Sequence, residues 1–329
     1  MPYLQSVERT KISTRMMAGR AFLIKTPICA NYLKVISNWL TTGSHGGLVY
    51  GQPRLGKTSA TRWALKMLVE LIGNFPLIEV PVRNQNIASE KAFFQHILHC
   101  VRHRHYMVGS AGDKRDALNE WLVTRAKRAT INAAVIFFDE AQFLKNEHYK
   151  WLLNISNELD INGCRLFCLL VGQPELEEVK TNFIETGKEQ IVGRFMAREL
   201  EFTGISAQED LISALIEFHN TIYPIENNIL FAENFIPQAI NSGFKLNALG
   251  PAMWSAFETL WIASGVSGSV VVPMHYFTAA LIGTLNTLVD SDGEFLDIQQ
   301  SIVMDAVKAS GFRESLKIRK ILEMNRSGK

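Results

Sequence analysis

The chain has 329 residues, 47% hydrophobic and 20% charged, which is the balance of a globular protein of roughly two domains and excludes a disordered one. Its net charge of +2 hides a gradient: residues 1–132 carry 19 basic and 7 acidic side chains, residues 133–312 carry 9 and 23, and residues 313–329 carry 6 and 2. No apolar run approaches the ~18 residues of a membrane span, and four scattered cysteines make no disulfide or zinc framework, so the expectation is a soluble cytoplasmic protein with a polyanion partner.

In chain order, residues 1–25 read as a basic arm, with Arg9, Lys11, Arg15 and Arg20 and no apolar segment of the secretory kind. Leu33, Ile36, Trp39 and Leu40 have helical spacing. Gly47 to Tyr50 is a short buried strand running into a glycine loop, and Ser59 to Ile72 is a helix. Leu77 to Val82 is a second strand, followed by helices over Ala88 to Tyr106 and Lys114 to Ala129. Ala133 to Phe138 has no alternation, so it predicts a strand buried on both faces. A helix over Tyr149 to Asp160 and strands over Arg165 to Val171 and Glu199 to Phe202 complete the pattern. Strands alternating with helices predict an α/β core over residues 26–204, with a parallel five-stranded sheet. Ser206 and Glu209 have capping-box spacing and open a helical lid over 205–290. Val270 to Pro273 is its one β-like stretch. Residues 291–329 form a helical tail, basic at its end.

Gly51, Gln52, Pro53, Arg54, Leu55, Gly56, Lys57 and Thr58 match the eight-residue P-loop pattern at every fixed position, between a predicted strand and a predicted helix. Glycines let the backbone turn its N–H groups around phosphates, and the helix N-terminus, at Ser59, adds positive potential. Lys57 is the candidate for the β- and γ-phosphates and Thr58 for Mg²⁺, which makes ATP with Mg²⁺ the expected ligand. The strand Val135-Ile-Phe-Phe ends in Asp139 and Glu140. Asp139 is a second candidate for Mg²⁺, and Glu140 is placed to polarise an attacking water, so the pair points to hydrolysis. Gln173, at the next strand tip, either senses the γ-phosphate or caps the helix beginning at Pro174. Arg194, between a helix and the fifth strand, is the candidate to stabilise transition-state charge in a neighbouring subunit, with Arg198 as competitor and a plain surface arginine as the alternative.

Between the second strand and Asp139 lies a glycine loop flanked by Arg102, Arg104, Lys114 and Arg115, with Lys91 behind them. These five residues are candidates for sequence-independent contact with DNA phosphates, or else form a solvated basic face. His96, His99, Cys100, His103 and His105 make no ordered ligand set, so metal is not expected there. Cys164 and Cys168 are expected to be packing thiols. Trp254, Phe257 and Trp261 have helical spacing and are expected in the lid core. The helix near Phe312 to Met324 is basic and amphipathic, suited either to packing on the lid or to a protein or DNA partner.

Together these motifs resemble an AAA+ ATPase with its helical lid. The Thr26-Pro27 segment, the Asp139-Glu140-Ala-Gln142 run and Val171-Gly-Gln-Pro-Glu-Leu176 look like the TnsC/TniB branch of transposition regulators, related to ExeA-like ATPases, with resemblance extending from about Thr26 to Ser264. The resemblance implies a bacterial protein that binds ATP between subunits and forms rings or filaments around double-stranded DNA. It also implies a transposase and a target-selection protein as partners, and no membrane. It places Thr26 and Pro27 near the adenine, Arg194 in trans, and residues 102–115 along the pore. One departure stands out: where relatives often carry a lid arginine after Ser-Gly, this chain has Ser242-Gly-Phe-Lys245-Leu-Asn247. Three alternatives compete: a DNA-independent mechanical ATPase, a non-hydrolysing nucleotide-switch scaffold, and a replication initiator. The C-terminal stretch shows no strand pair that would mark an initiator's winged helix.

Overall fold

The computed structural model describes residues 23–223, 228–293 and 299–327, so most of the basic arm lies outside the described residues. The chain divides into two compact units. The first comprises Asn31–Pro53 and Ala60–Phe202; the second comprises the chain up to Ala30, Arg54–Ser59 and Thr203–Lys329.

The first unit is built on a five-stranded sheet: β1 (Gly46–Tyr50), β2 (Leu77–Pro81), β3 (Ala133–Asp139), β4 (Arg165–Gly172) and β5 (Glu199–Glu201). The spatial order is β2-β3-β4-β1-β5, and every neighbouring pair is parallel. Parallel pairing needs crossovers. These contain α2 (Lys57–Ile72), α3 (Glu90–Cys100), α4 (Ala111–Ala126), α5 (Asn146–Ile161) and α6 (Glu175–Glu185), after α1 (Pro27–Thr41) has led into β1. Helices on both faces explain why β3 and β4 read as continuous apolar runs: Ala133 to Phe138 and Leu166 to Gly172 are all buried. Burying each large side chain of this layer contributes on the order of 2 kcal/mol. Cys164 and Cys168 are buried free thiols, and burial pushes both thiols up, away from the reactive thiolate form.

One predicted helix is shorter than its periodicity suggests, and another keeps its length but starts three residues earlier. α3 ends at Cys100, because Arg102 takes a left-handed conformation (φ 52°) and the chain leaves as a loop. α4 starts at a capping box in which Ser110 and Asp113 bond each other's backbone N–H groups. Between β4 and β5 the chain makes a π-helical turn, Val192–Met196, which the sequence pattern did not announce.

The second unit is helical: α7 (Gln208–Asn220), α8 (Pro237–Asn241), α9 (Gly250–Ser264), α10 (Met274–Leu288), α11 (Gln300–Ala309) and α12 (Phe312–Ser327). Its core includes Phe218, Phe231, Phe235, Phe257, Phe277 and Trp261, with Trp254 packed against it. The Ser206 cap is a correction: α7 begins after Ala207, with no side-chain cap. The β-like stretch near Val270 makes one antiparallel bridge, Ile205 with Val272, through hydrogen bonds of 3.0 and 2.8 Å. The basic helix α12 sinks Phe312 and Leu316 into the core and exposes Ile318, Ile321 and Leu322. Among the described residues no helix is long and apolar enough to cross a membrane.

Candidate nucleotide site

The strand register brings three chain ends to one edge. Tyr50 pairs with Gly172, and Val171 with Asp139, so β1, β3 and β4 finish side by side at the carboxyl edge of the sheet. Open parallel sheets bind their ligands along this edge. Gly51 leaves from the tip of β1, Asp139 ends β3 half-buried, and Gln173 follows β4.

Glu140 is the most constrained of these residues. It adopts φ 57° and ψ 43°, a left-handed conformation that costs a residue with a side chain on the order of 1–3 kcal/mol. Its Oε2 accepts a 2.6 Å hydrogen bond from Gln142 Nε2 and a 3.1 Å bond from Gln173 Nε2. Gln142 Oε1 in turn accepts the Gln173 backbone N–H at 3.2 Å. Two side-chain amides and the Gln173 backbone N–H thus close a polar triangle that fixes the position of the Glu140 carboxylate. Gly172 is part of the design: a Cβ there would lie 2.4 Å from Gln142 Oε1. Gln173 is thus tied to Glu140 and does not cap α6, whose start has no side-chain cap.

The P-loop carries two left-handed residues, Arg54 (φ 66°) and Gly56 (φ 98°), in the alternating backbone geometry that turns successive N–H groups toward one anion. Gln52, Pro53 and Arg54 are exposed, Gly51 and Leu55 are buried, and Gly56, Lys57, Thr58 and Ser59 are half-buried. α2 has no acidic side chain in its first turn, where helices usually place one to offset their dipole. That arrangement suits phosphate.

Thr26 and Pro27 have a visible structural role. Pro27 opens α1, and the buried Thr26 hydroxyl accepts the Cys29 N–H at 3.3 Å, an N-cap followed by proline. Arg194 lies in the π-helical turn, and its Nη1 donates to Ser156 Oγ at 2.7 Å and to Asp160 Oδ2 at 2.8 Å, both on α5. Sequence reasoning missed these two partners, because nothing in their local pattern marks them. Arg198 is exposed, as is Lys245 in the second unit, while Asn247 is half-buried.

The basic loop divides. Lys91, Arg102 and Arg104 are exposed. Lys114 is not available to DNA and is a correction: it is 1% exposed, and its ammonium donates to the carbonyls of Tyr106 and Val108 at 2.6 and 2.9 Å. It braces the loop from beneath. Arg115 is engaged with Glu90 at 3.2 Å and Asp116 at 3.5 Å.

Residues 41–179 match a family model described as an AAA domain. The chain has the AAA+ P-loop fold, an α/β core with a helical C-terminal region. Among solved structures it is similar to the ORC2 protein of Aeropyrum pernix, in ADPNP–ADP complexes, at 14% identity and a TM-score of 0.52, covering 86% of this chain and 66% of that one. It is also similar to Cdc6p from Pyrobaculum aerophilum (15% identity, TM-score 0.41, 87% and 80% covered). A third similar structure is domain III of the Thermotoga maritima replication initiation protein DnaA (12% identity, TM-score 0.45, 87% and 94% covered). The chain spans 66% of the length of the ORC2 protein. No curated protein sequence matches it.

Proposed function

We propose that this chain binds ATP with Mg²⁺ and hydrolyses it to ADP and phosphate. It works as a subunit of an oligomer that assembles on double-stranded DNA and couples a target-site selector to a transposase. The observation that carries the enzymatic part is Glu140, held in a strained conformation by Gln142 and Gln173 at the sheet edge beside Asp139.

The mechanism follows from the residues. Backbone N–H groups of the P-loop and the Lys57 ammonium bind and orient the phosphates. Thr58 and Asp139 would hold Mg²⁺, which supplies charge neutralisation on the β- and γ-phosphates. Glu140 accepts a hydrogen bond from the attacking water and takes its proton as the water oxygen bonds to the γ-phosphorus and the bond to the ADP oxygen breaks. Gln173 links that carboxylate to the tip of β4, so movement at the phosphate is felt by the base. Arg194 acts in the site of a neighbouring subunit, which makes nucleotide binding and assembly thermodynamically linked.

The DNA part is supported by the basic front half of the sequence and by exposed Lys91, Arg102 and Arg104. Contacts of this kind are nonspecific and salt-sensitive. The transposition part is supported by the wording around Asp139 and Val171 that the chain shares with that branch. Negative-stain electron microscopy of the protein with duplex DNA and ATP, ADP or no nucleotide tests the whole reading. Rings or filaments on DNA only with ATP are expected. Nucleotide-dependent rings that ignore DNA would favour a mechanical ATPase, and monomers throughout would favour a scaffold switch.

A further inference from the structure

The P-loop pattern fixes its glycines, lysine and threonine and leaves the residue at Arg54 open, yet Arg54 is the non-glycine residue of the loop held at positive φ (66°). Such a conformation persists only when surrounding structure over-determines it. Arg54–Ser59 belong to the same compact unit as residues 203–329, and within that unit two contacts hold Arg54. The His275 N–H, in the first turn of α10, donates to the Arg54 carbonyl at 3.3 Å. The Arg54 guanidinium stands over the Tyr276 ring, 5.6 Å from its centroid. Tyr276 is itself immobilised: it is 7% exposed, and its ring packs on Phe312 at 5.8 Å, which stacks edge-on against Phe257 at 5.0 Å. Met274 completes the contact, its Cβ 3.8 Å from where a Cβ on Gly56 would stand.

We infer that Tyr276 is a positioning residue for nucleotide binding: its ring anchors Arg54 and so holds the P-loop in the backbone conformation that presents its N–H groups to phosphate. The inference rests on the reading of the P-loop as an ATP site. The sequence around it (Pro273-Met-His-Tyr276) belongs to no phosphate-binding motif and follows directly on the β-like stretch Val270 to Pro273. Chemistry assigns the role. A cation over an aromatic face gains energy only while both partners stay in place, and the Tyr276 ring is fixed by the helical core. A loop already in its binding conformation loses less freedom when the ligand arrives, so affinity rises.

The test is a set of dissociation constants for a fluorescent ATP analogue with Mg²⁺, measured on the full chain. Tyr276→Leu keeps an apolar side chain facing Phe312 and removes the π face; about 5-fold weaker binding is expected, within the range of an exposed cation–π contact. Tyr276→Phe keeps the face and should restore affinity to within about twofold. Arg54→Ala, at an exposed position, should weaken binding by a similar factor, and the Arg54→Ala/Tyr276→Leu pair should be no weaker than the worse single variant. Wild-type affinity in Tyr276→Leu overturns the inference. So does a double variant whose loss is the full product of the single losses, because Tyr276 would then not act through Arg54. A wild-type chain that binds no nucleotide overturns the ATP reading and this inference with it, which separates the two failures.

Discussion

Arg194 Nη1 lies 2.8 Å from Asp160 Oδ2, and the same nitrogen reaches Ser156 Oγ at 2.7 Å. The residue proposed to complete a neighbour's site is therefore held within its own subunit, on α5. His45 sits in the same field of Asp160, Arg194 and Arg165, and burial is the main reason its basicity is lowered. An arginine that serves a second subunit from this position must exchange Asp160 and Ser156 for the phosphate of the neighbouring site.

Arg194→Ala is expected to leave nucleotide binding by isolated protomers intact and to lower turnover of the assembled form by about 10³-fold. Asp160→Asn should act the opposite way, raising turnover at protein concentrations where assembly is incomplete, at a stability cost below about 1 kcal/mol for a partly exposed pair. Turnover measured against protein concentration for both variants checks this. Equal curves for wild type and Asp160→Asn would show that the intramolecular pair does not compete.

The loop above α4 makes a second contrast. Lys114→Met removes the ammonium that serves the carbonyls of Tyr106 and Val108, and should destabilise the chain by about 1–3 kcal/mol in urea denaturation. Arg102→Ala and Arg104→Ala should change stability by less than about 0.5 kcal/mol. They should instead weaken DNA binding and flatten its dependence on salt by about one unit of slope each. A loss of DNA affinity confined to Lys114→Met would remove Arg102 and Arg104 from the interface.

Gly172→Ala places a methyl group against the Gln142 amide. The expected result is a selective loss of turnover, because the amide that orients Glu140 is displaced while the P-loop is untouched. Measuring turnover beside nucleotide affinity separates the two; equal losses in both would argue against a local role.

Histidines give a pH prediction. His148 and His96 are held below the ordinary imidazole range chiefly by burial, His148 accepting the Lys145 N–H at Nδ1 (2.8 Å) and His96 facing the Pro81 carbonyl (2.9 Å). The folded chain keeps them neutral, whereas the unfolded chain protonates them near pH 6.5. Below that value the unfolded state binds more protons, so their contribution is complete above about pH 6.5 and is lost as pH falls further. The urea midpoint should fall between pH 7.5 and 5.5, and His148→Gln should reduce the fall. An unchanged slope in that variant would assign the effect elsewhere.

The parts legible in sequence were those governed by local pattern. β3 and β4 announced themselves because a strand buried on both faces has no polar residue to break it, and the P-loop because its chemistry needs fixed residue types at fixed spacing. What stayed hidden depends on long-range contact. Lys114 read as a surface charge because a buried lysine differs from an exposed one only in what covers it, here the carbonyls of Tyr106 and Val108. The end of α3 was overrun because its apolar period continues past Cys100, while the left-handed Arg102 that stops it carries no glycine signature. Ser206 had the spelling of a cap, yet α7 starts later, where Ile205 is drawn into its bridge with Val272. Gln142 stands in a family wording, and the contacts that tie it and Glu140 to Gln173 need β3 and β4 side by side, which no local pattern states.

The central claim is that this chain hydrolyses ATP with Glu140 as the base. It is tested most directly by comparing wild type with Glu140→Gln, following phosphate release with Mg²⁺ and duplex DNA present and binding of a fluorescent ATP analogue in parallel. The account predicts that Glu140→Gln binds nucleotide as wild type does and releases phosphate at least about 10²-fold more slowly, the lower end of what a positioned base contributes. Equal phosphate release by the two proteins would contradict it.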